Sequence, residues 1–334
     1  MSATAAPVGA VRARPADALA SWLRRNSWML GLVVLLAALL VFTKFIQPRY
    51  GVTGVQGLAI SVLPLALAAV AQAIVVMSGG IDLSIGSIMA LVNVVGAVLM
   101  ANQSEQFGVV AVLACLVLGL VLGAINGSLI VFTRVPDIVV TLAMSFVWAG
   151  CALLVIATPG GGSAKWLMEL VSGSFGSEWV PKAAVALILV VAVVWLPVRR
   201  TRFGLSLYAI GSNRLAAFRS GVAVGRTRIL AYMLMGFFAA LAGLSVTAST
   251  GIGTPVPGPY TLMSVAAVVL GGVSLAGGRG GVFGPIVAVV ILQIIRTDMT
   301  FLSIDSNLAT VFQGVILIGV VMIGSLIQIR RGRA

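Results

Sequence analysis

The sequence of 334 residues contains no histidine. Imidazole-based proton relays, metal ligation by histidine and Ser–His catalysis are therefore excluded. The two cysteines, Cys115 and Cys151, lie within apolar runs and lack metal-ligand spacing, so we expect them to be packing residues. The chain has no G-x-x-x-x-G-K-[ST] motif and cannot bind and hydrolyse ATP through a P-loop of its own. We expect no catalytic residue, no bound metal and no cofactor.

Charged residues are also scarce. They make up 9% of the chain, whereas a soluble domain carries about 25%. Hydrophobic residues make up 60%, and the mean hydropathy is +1.16. This composition predicts an all-α, polytopic membrane protein. The net charge of +13 comes from basic residues in loops and tails, so positive-inside bias explains it and no nucleic-acid partner is expected.

The apolar runs predict about ten membrane-spanning helices, since a helical span needs about 20 apolar residues. The first run begins at Met29, and no small-residue cleavage site follows it, which indicates an uncleaved span. Two later runs are short and separated by glycines, as in the broken helices of transporters. The predicted parts are a tail at 1–28, a transmembrane domain at 29–327 and a basic tail at 328–334, with spans at 29–47, 54–77, 84–101, 107–133, 137–158, 183–198, 228–248, 262–276, 282–296 and 308–327.

Seven arginines and no acid lie between Arg199 and Arg228, which covers the predicted loop 199–227. Lys and Arg near span ends stay on the cytoplasmic side, so this segment fixes the orientation of the protein. Ten spans with both termini cytoplasmic place the whole net charge of +13 inside and leave the outer segments neutral. The loop 159–182 is then periplasmic. We expect Trp166 and Trp179 to lie at the membrane interface, and a contact with a receptor is the alternative.

The sequence SGGIDLSIGS at 78–87 directly follows a predicted span. Gly79 and Gly80 are expected to end the helix, and Asp82 and Ser84 can cap the helix that restarts. An acid near membrane depth is also a functional-site hypothesis by default. A capping role and a contact with substrate therefore both stay open for Asp82.

A partial echo of this turn occurs later in the chain. Allowing one gap, residues 268–278 repeat the pattern of residues 75–86. Internal repetition is common in transporter folds. We therefore expect Gly271 and Gly272 to form a second structural turn.

The internal loop contains a short segment with the signals of a helix. Asn213 is a typical N-cap residue, Leu215–Ser220 would form the helix, and Gly221 would end it. A short helix flanked by glycines suits the groove of a soluble partner. It can equally be an amphipathic turn that faces membrane lipid headgroups.

Few polar residues fall within the predicted spans. Unpaired polar groups are costly in lipid, so such residues should face other helices or a water-filled path. Uncharged amides and hydroxyls suit a neutral polyhydroxy solute, and they can equally bond between helices. The candidates for a substrate pathway are Gln72, Asp82, Asn93, Asn126 and Ser145.

Several motifs together resemble the bacterial ABC sugar permeases of the ribose type. They are SGGIDLSIGS at 78–87, the Ile125-Asn126-Gly127 turn, TRFGLSLYAIGSN at 201–213 and AAVVLGGVSLAGGRG at 266–280. The resemblance extends from about residue 55 to residue 325, with the motifs in matching order.

The resemblance implies a ten-helix subunit of the bacterial inner membrane that pairs with a second copy or with a sister permease. It also implies a periplasmic sugar-binding protein and a cytoplasmic ABC ATPase. The coupling helix of the family, which inserts into the ATPase, maps onto residues 213–222. The implied coupling residues are Asn213, Arg214, Leu215, Ala216, Ala217, Phe218, Arg219, Ser220 and Gly221.

Two departures from the family bear on the substrate. Many relatives carry acids just after the tyrosine that matches Tyr260, whereas this chain has the uncharged residues 261–264. Asp137 stands where a proline or an aromatic residue is more usual. The sequence leaves open which sugar or polyol is carried, because the family handles pentoses, hexoses, polyols and related signalling molecules.

Two alternative functions stay open. A stand-alone ion-coupled transporter or channel-like permease would need an ionisable residue within the membrane, and only Asp82 and Asp137 come near. A membrane scaffold would instead recruit a soluble protein through the arginine-rich loop.

Overall fold

The computed structural model describes residues 15–256 and 258–305, together with eight isolated residues between 308 and 322. The predicted tenth span and the C-terminal tail therefore lie largely or wholly outside the described residues. The helices are α1 (Pro15–Ile46), α2 (Val52–Met77), α3 (Ile85–Met100), α4 (Phe107–Thr133), α5 (Asp137–Val155), α6 (Lys165–Val171), α7 (Lys182–Val190), α8 (Leu196–Arg200), α9 (Arg202–Ser212), α10 (Arg214–Arg219), α11 (Val224–Thr250), α12 (Tyr260–Leu270) and α13 (Phe283–Phe301). One π-helical turn, Val191–Trp195, joins α7 to α8.

Within the described residues, seven helical segments are long and apolar enough to cross a membrane. The predicted polytopic helical protein is confirmed at this level. Two further apolar helices, α3 and α12, are shorter than a full span. The seven segments are Trp28–Ile46, Val52–Met77, Phe107–Thr133, Asp137–Val155, Lys182–Arg200, Val224–Thr250 and Phe283–Phe301.

The described residues are nearly all helical, as the all-α prediction expects, apart from one small hairpin. The loop 159–182 contains α6 and then a two-stranded antiparallel hairpin, β1 (Ser174–Phe175) and β2 (Ser177–Pro181). Gly176 lies between the strands with φ of 72°, a conformation that glycine adopts without a steric penalty. A glycine-centred turn therefore folds part of the expected loop into a hairpin.

Helix α2 lies at the centre of the bundle and is buried from Val62 to Met77. Helix α11 packs against α2, α3 and α4. Its contact with α4 is close because Gly119 and Gly123 of α4 face Gly236 and Tyr232 of α11, and a Cβ at either α4 glycine would collide with the α11 backbone. Small residues of this kind allow helix backbones to approach each other in a membrane.

Candidate functional site

The first break in the bundle separates α2 from α3. Gly79 has φ of 81°, and the amides of Gly79 and Gly80 bond the carbonyls of Val76 (2.9 Å) and Val75 (3.1 Å). This arrangement is a Schellman turn, which satisfies the last carbonyls of a helix. The chain then runs without helical hydrogen bonding until Ile85.

Asp82 is fully buried in this break. One of its carboxylate oxygens, Oδ1, accepts hydrogen bonds from the amide and the hydroxyl of Ser84, each at 2.6 Å. Asn126 of α4 donates its Nδ2 to Ser84 Oγ at 2.8 Å and to Asp82 Oδ2 at 3.4 Å. Trp148 of α5 donates its Nε1 to Asn126 Oδ1 at 3.2 Å. These residues form one buried network that joins the break to α4 and α5.

The expected capping by Ser84 is wrong. Ser84 occupies the N-cap position of α3, but its side chain makes no capping bond and instead binds Asp82 and Asn126. The amide of Gly86 bonds the hydroxyl of Thr261, at the start of α12, at 3.0 Å. The first turn of α3 is thus capped by a residue 175 positions away, which sequence spacing does not reveal.

A second break separates α11 from α12. Asn93 of α3 holds it in place: Nδ2 donates to Thr247 Oγ1 (2.8 Å) and to the Ile252 carbonyl (3.2 Å), and Oδ1 accepts from the Thr254 amide (2.6 Å). Thr261 follows nine positions after Ile252, and its hydroxyl accepts a hydrogen bond from the amide of Gly86. The distance along α3 from Asn93 to Gly86 is about 10 Å at 1.5 Å per residue. The second break therefore runs beside α3 inside the bundle.

Three of the five predicted pathway residues lie at these breaks. Asp82 and Asn126 share one network, and Asn93 organises the second break. Gln72 is completely buried in α2, and neither of its amide atoms has a hydrogen-bond partner among the described residues. Ser145 donates only to the Leu142 carbonyl of its own helix, at 2.6 Å. The structure does not bring Gln72 or Ser145 into the network.

A buried ion pair lies next to the first break. Arg228, in the second turn of α11, is 5% exposed and binds the carboxylate of Asp137, the first residue of α5. Tyr232, one helical turn after Arg228, donates its hydroxyl to Asp137 Oδ2 at 2.8 Å. A Cβ at Gly80 would collide with Asp137 Oδ2, so the pair packs directly on the break.

The sequence interpretation missed this cluster. Arg228 was counted only as one of the orienting arginines. The i, i+4 spacing of Arg228 and Tyr232 places both side chains on one helix face. That spacing is the sequence signal that could have indicated a cluster here. It does not identify Asp137 as the acid that both residues bind.

The partial echo has the same turn as the first break. Gly272 has φ of 79°, and the amides of Gly272 and Val273 bond the carbonyls of Val269 (3.0 Å) and Val268 (3.1 Å). This is the hydrogen-bonding pattern found at the end of α2. The indole of Trp28 packs on Gly272, and its Nε1 donates to the Leu270 carbonyl at 2.8 Å.

Three backbone segments meet at Gly211 of α9. A Cβ at Gly211 would collide with the Met77 carbonyl and the Gly278 amide, which are themselves hydrogen-bonded at 3.0 Å. Gly277 packs on both Gly211 and Gly79. We call the close contact of Gly79, Gly211, Gly277 and Gly278 the glycine contact. It joins α9 to the ends of both repeated turns.

Helix α10 follows α9 directly. The predicted N-cap is confirmed, because Asn213 Oδ1 accepts from the Ala216 amide at 2.9 Å. Gly221 follows the helix with φ of 84°. Ala217 is buried, whereas Leu215 and Phe218 are 59% and 67% exposed. Of the other predicted coupling residues, Arg214 begins the helix, Arg219 ends it, and Ala216, Arg219 and Ser220 are exposed.

A groove of about 610 Å³ lies along α10 and the start of α11. Leu215, Phe218 and Val222 supply apolar surface, and Arg214 and Arg226 supply positive charge. Burial lowers the pKa of Arg214, the charge of Arg228 lowers it further, and Asp137 acts in the opposite direction. Arg214 therefore lies within electrostatic range of the buried ion pair.

Comparison with known proteins gives a consistent result. Residues 54–321 match the family model for the permease component of the branched-chain amino acid transport system. The ribose import permease of Escherichia coli K12 is 30% identical over 310 residues, which is 91% of this chain and 94% of that protein. The ribose import permease of Bacillus subtilis is 31% identical, covering 88% of this chain and 90% of that protein. The D-allose transport system permease of E. coli K12 is 28% identical, covering 76% and 77%. No solved structure matches the chain.

Proposed function

Because the chain belongs to the monosaccharide-type permease family of ABC importers, we propose that it translocates a small neutral sugar or polyol. The protein is a transport component of the inner membrane and not an enzyme, and ATP is hydrolysed by a separate subunit. Relatives named for ribose and D-allose support the substrate class. The uncharged residues 261–264 and the amide side chains near the two breaks also support a neutral substrate.

The proposed arrangement has ten spans with both termini in the cytoplasm and the tenth span at 308–327. The loop 199–227 would face the cytoplasm, where its arginines would contact anionic lipid. The loop 159–182 would face the periplasm and a sugar-binding protein. A second copy of the chain or a sister permease would complete the pathway.

The observation that carries the coupling role is α10 itself. It is a capped helix with a buried anchor, Ala217, and two large apolar side chains, Leu215 and Phe218, directed away from the protein. Apolar anchors surrounded by charge are typical of protein interfaces. We propose that the ATPase holds α10, and that closure of its two nucleotide-binding modules moves α9 and α10 together.

The glycine contact offers a route from α10 to the spans. Gly211 is two residues before the N-cap of α10. It packs closely against the turn after α2 and against residues 277–278. A displacement of α9 would therefore reach the first break and the segment that follows α12 without passing through long, flexible side chains. The spans would then alternate between outward-facing and inward-facing states.

The test of coupling is Phe218→Asp. Placing a charge at the centre of an apolar interface is expected to cost about 2 kcal/mol or more, which is ~30-fold in affinity. We expect the ATPase to be lost from the purified complex and ATP-driven uptake in vesicles to fall with it.

The matched control is Leu205→Asp, on α9 and exposed to the same extent, 67%, as Phe218. This variant should keep the ATPase. Equal retention of the ATPase by both variants would show that α10 is not the docking element. Uptake by the unsubstituted protein in vesicles without ATP or ATPase would overturn the importer itself.

Asp82→Asn distinguishes ATP-driven import from ion coupling. The amide keeps the shape of the side chain, and we expect a lower uptake rate with an unchanged pH profile, because no proton moves with the solute. Uptake should be measured between pH 5.5 and 8.5 with the ATPase present. A pH profile that flattens or shifts in the variant would favour the ion-coupled alternative.

A further inference from the structure

The second break and α3 line a cavity of about 210 Å³. Its lining includes Gly86, Ala90 and Asn93 from α3, Thr254 and Gly258 from the second break, and Tyr260 from the start of α12. Backbone without helical hydrogen bonds occurs within membrane proteins only where it is buried in protein or lines a water-filled cavity. The second break therefore has a physical reason to be non-helical at this position.

The depth of the cavity follows from its neighbours. Ser84, just before α3, bonds Asn126, which is about two turns from the end of α4. Helix α3 thus begins well inside the bundle, and α12 begins beside it, since Gly86 bonds Thr261. The cavity lies between these two shortened helices and is partly open, since Val256 in its lining is 67% exposed.

The chemistry of the lining is uncharged and contains free hydroxyl groups. Thr254 and Tyr260 have side-chain hydroxyls without a hydrogen-bond partner among the described residues. The amide of Asn93 is fully engaged in holding the break, so it positions the lining. Apolar surface comes from Met89, Val246 and Val256. A molecule with several hydroxyl groups on a compact carbon ring matches this combination.

The volume is also informative. A cavity of roughly 150 Å³ holds one benzene molecule, so about 210 Å³ has room for one ring of five or six atoms with substituents. The side chains that limit this volume are small, because two of the lining residues are glycines and a third is alanine. A disaccharide does not fit without displacement of the helices.

Resting on the proposed function, we infer that this cavity is a position at which one monosaccharide-sized ring is held during transport. Tyr260 and Thr254 would bind its hydroxyl groups, and Ala90 would set the largest ring accepted. Tyr260 is thereby assigned a substrate contact at the place where many relatives continue with acids.

The first experiment fills the cavity. Ala90→Leu is expected to reduce binding-protein-dependent uptake of D-ribose and of D-allose at least tenfold. The control Gly281→Ala, whose added Cβ meets no atom within 4 Å, should stay within twofold of the unsubstituted protein. Ala90→Val should impair uptake of the six-carbon sugar more than that of the five-carbon sugar. Tyr260→Phe removes one hydroxyl and should lower uptake about two- to tenfold. Co-purification with the ATPase checks that each variant is folded.

The second experiment does not depend on transport rate. The chain has two cysteines, so a variant without Cys115 and Cys151 needs only two changes. In that background, Ala90→Cys should react with a small water-soluble thiol reagent, and saturating D-ribose or D-allose should slow the reaction at least fivefold. Val94→Cys, one turn further along α3 and fully buried, should not react.

The outcomes separate the two proposals. Normal uptake by folded Ala90→Leu, or labelling of Ala90→Cys that neither sugar slows, overturns the cavity assignment and leaves the importer intact. Failure of the unsubstituted complex to transport any neutral sugar overturns the proposed function, and the cavity assignment with it. Size-selective loss together with sugar protection supports both.

Discussion

Replacing Asp137 with alanine is expected to destabilise the protein by about 3–5 kcal/mol, because Arg228 is then left buried without its counter-ion. Arg228 is 5% exposed and has the Asp137 carboxylate as its ion-pair partner. The same change removes the acceptor for Tyr232. The measurement is equilibrium unfolding in detergent micelles, with the exposed acid Glu178→Ala as the control, which should stay within about 0.5 kcal/mol.

A double variant separates the charge effect from packing. Replacing Asp137 with leucine and Arg228 with methionine together removes both charges and retains apolar volume, and such exchanges are often neutral or stabilising. We expect the double variant to recover most of the stability lost in Asp137→Ala. If Asp137→Ala costs less than 1 kcal/mol, the carboxylate does not hold Arg228 in the folded protein.

The second large effect is expected at Gly211. Its φ is not in the left-handed region, so the limit on this position is space: a side chain would enter the site of the Met77–Gly278 hydrogen bond. Gly211→Val should cost about 2–4 kcal/mol, from overpacking and the loss of that bond. It should also abolish ATP-driven uptake even where the folded protein is recovered.

The matched control is Gly281→Ala, since a Cβ at Gly281 meets no atom within 4 Å. We expect this control to change stability by less than about 0.5 kcal/mol and to transport normally. Normal transport by Gly211→Val would show that α9 is not in close contact with α2 during the cycle.

Local sequence signals are sufficient for the seven long apolar segments and for α10. Apolar runs located the spans because a membrane requires the same 20-residue length everywhere. Asn213 and Gly221 bounded α10 because capping depends on residues a few positions apart. The α2 turn could be read from Gly79 for the same reason.

Contacts between distant segments could not be read in this way. Arg228 bonds Asp137 across 91 residues, and Gly86 bonds Thr261 across 175. Apart from its spacing to Tyr232, nothing in the sequence distinguishes Arg228 from the other arginines that orient the protein. Asp298 shows a related failure: the predicted span 282–296 ends before it, but α13 continues to Phe301 and buries it.

The long-range contacts of the broken helices also determine when the protein can be completed during its synthesis. The amide of Gly86, at the start of α3, has no partner until Thr261 is synthesised 175 residues later. The indole of Trp28 likewise binds the Leu270 carbonyl, 242 residues further along the chain. At ribosomal rates of roughly 5–20 residues per second, these intervals are on the order of 10–50 s. The first half of the chain therefore stays in the bilayer with exposed polar backbone until the last third arrives. A pause in translation before residue 260 would lengthen the time for which the amide of Gly86 lacks its partner.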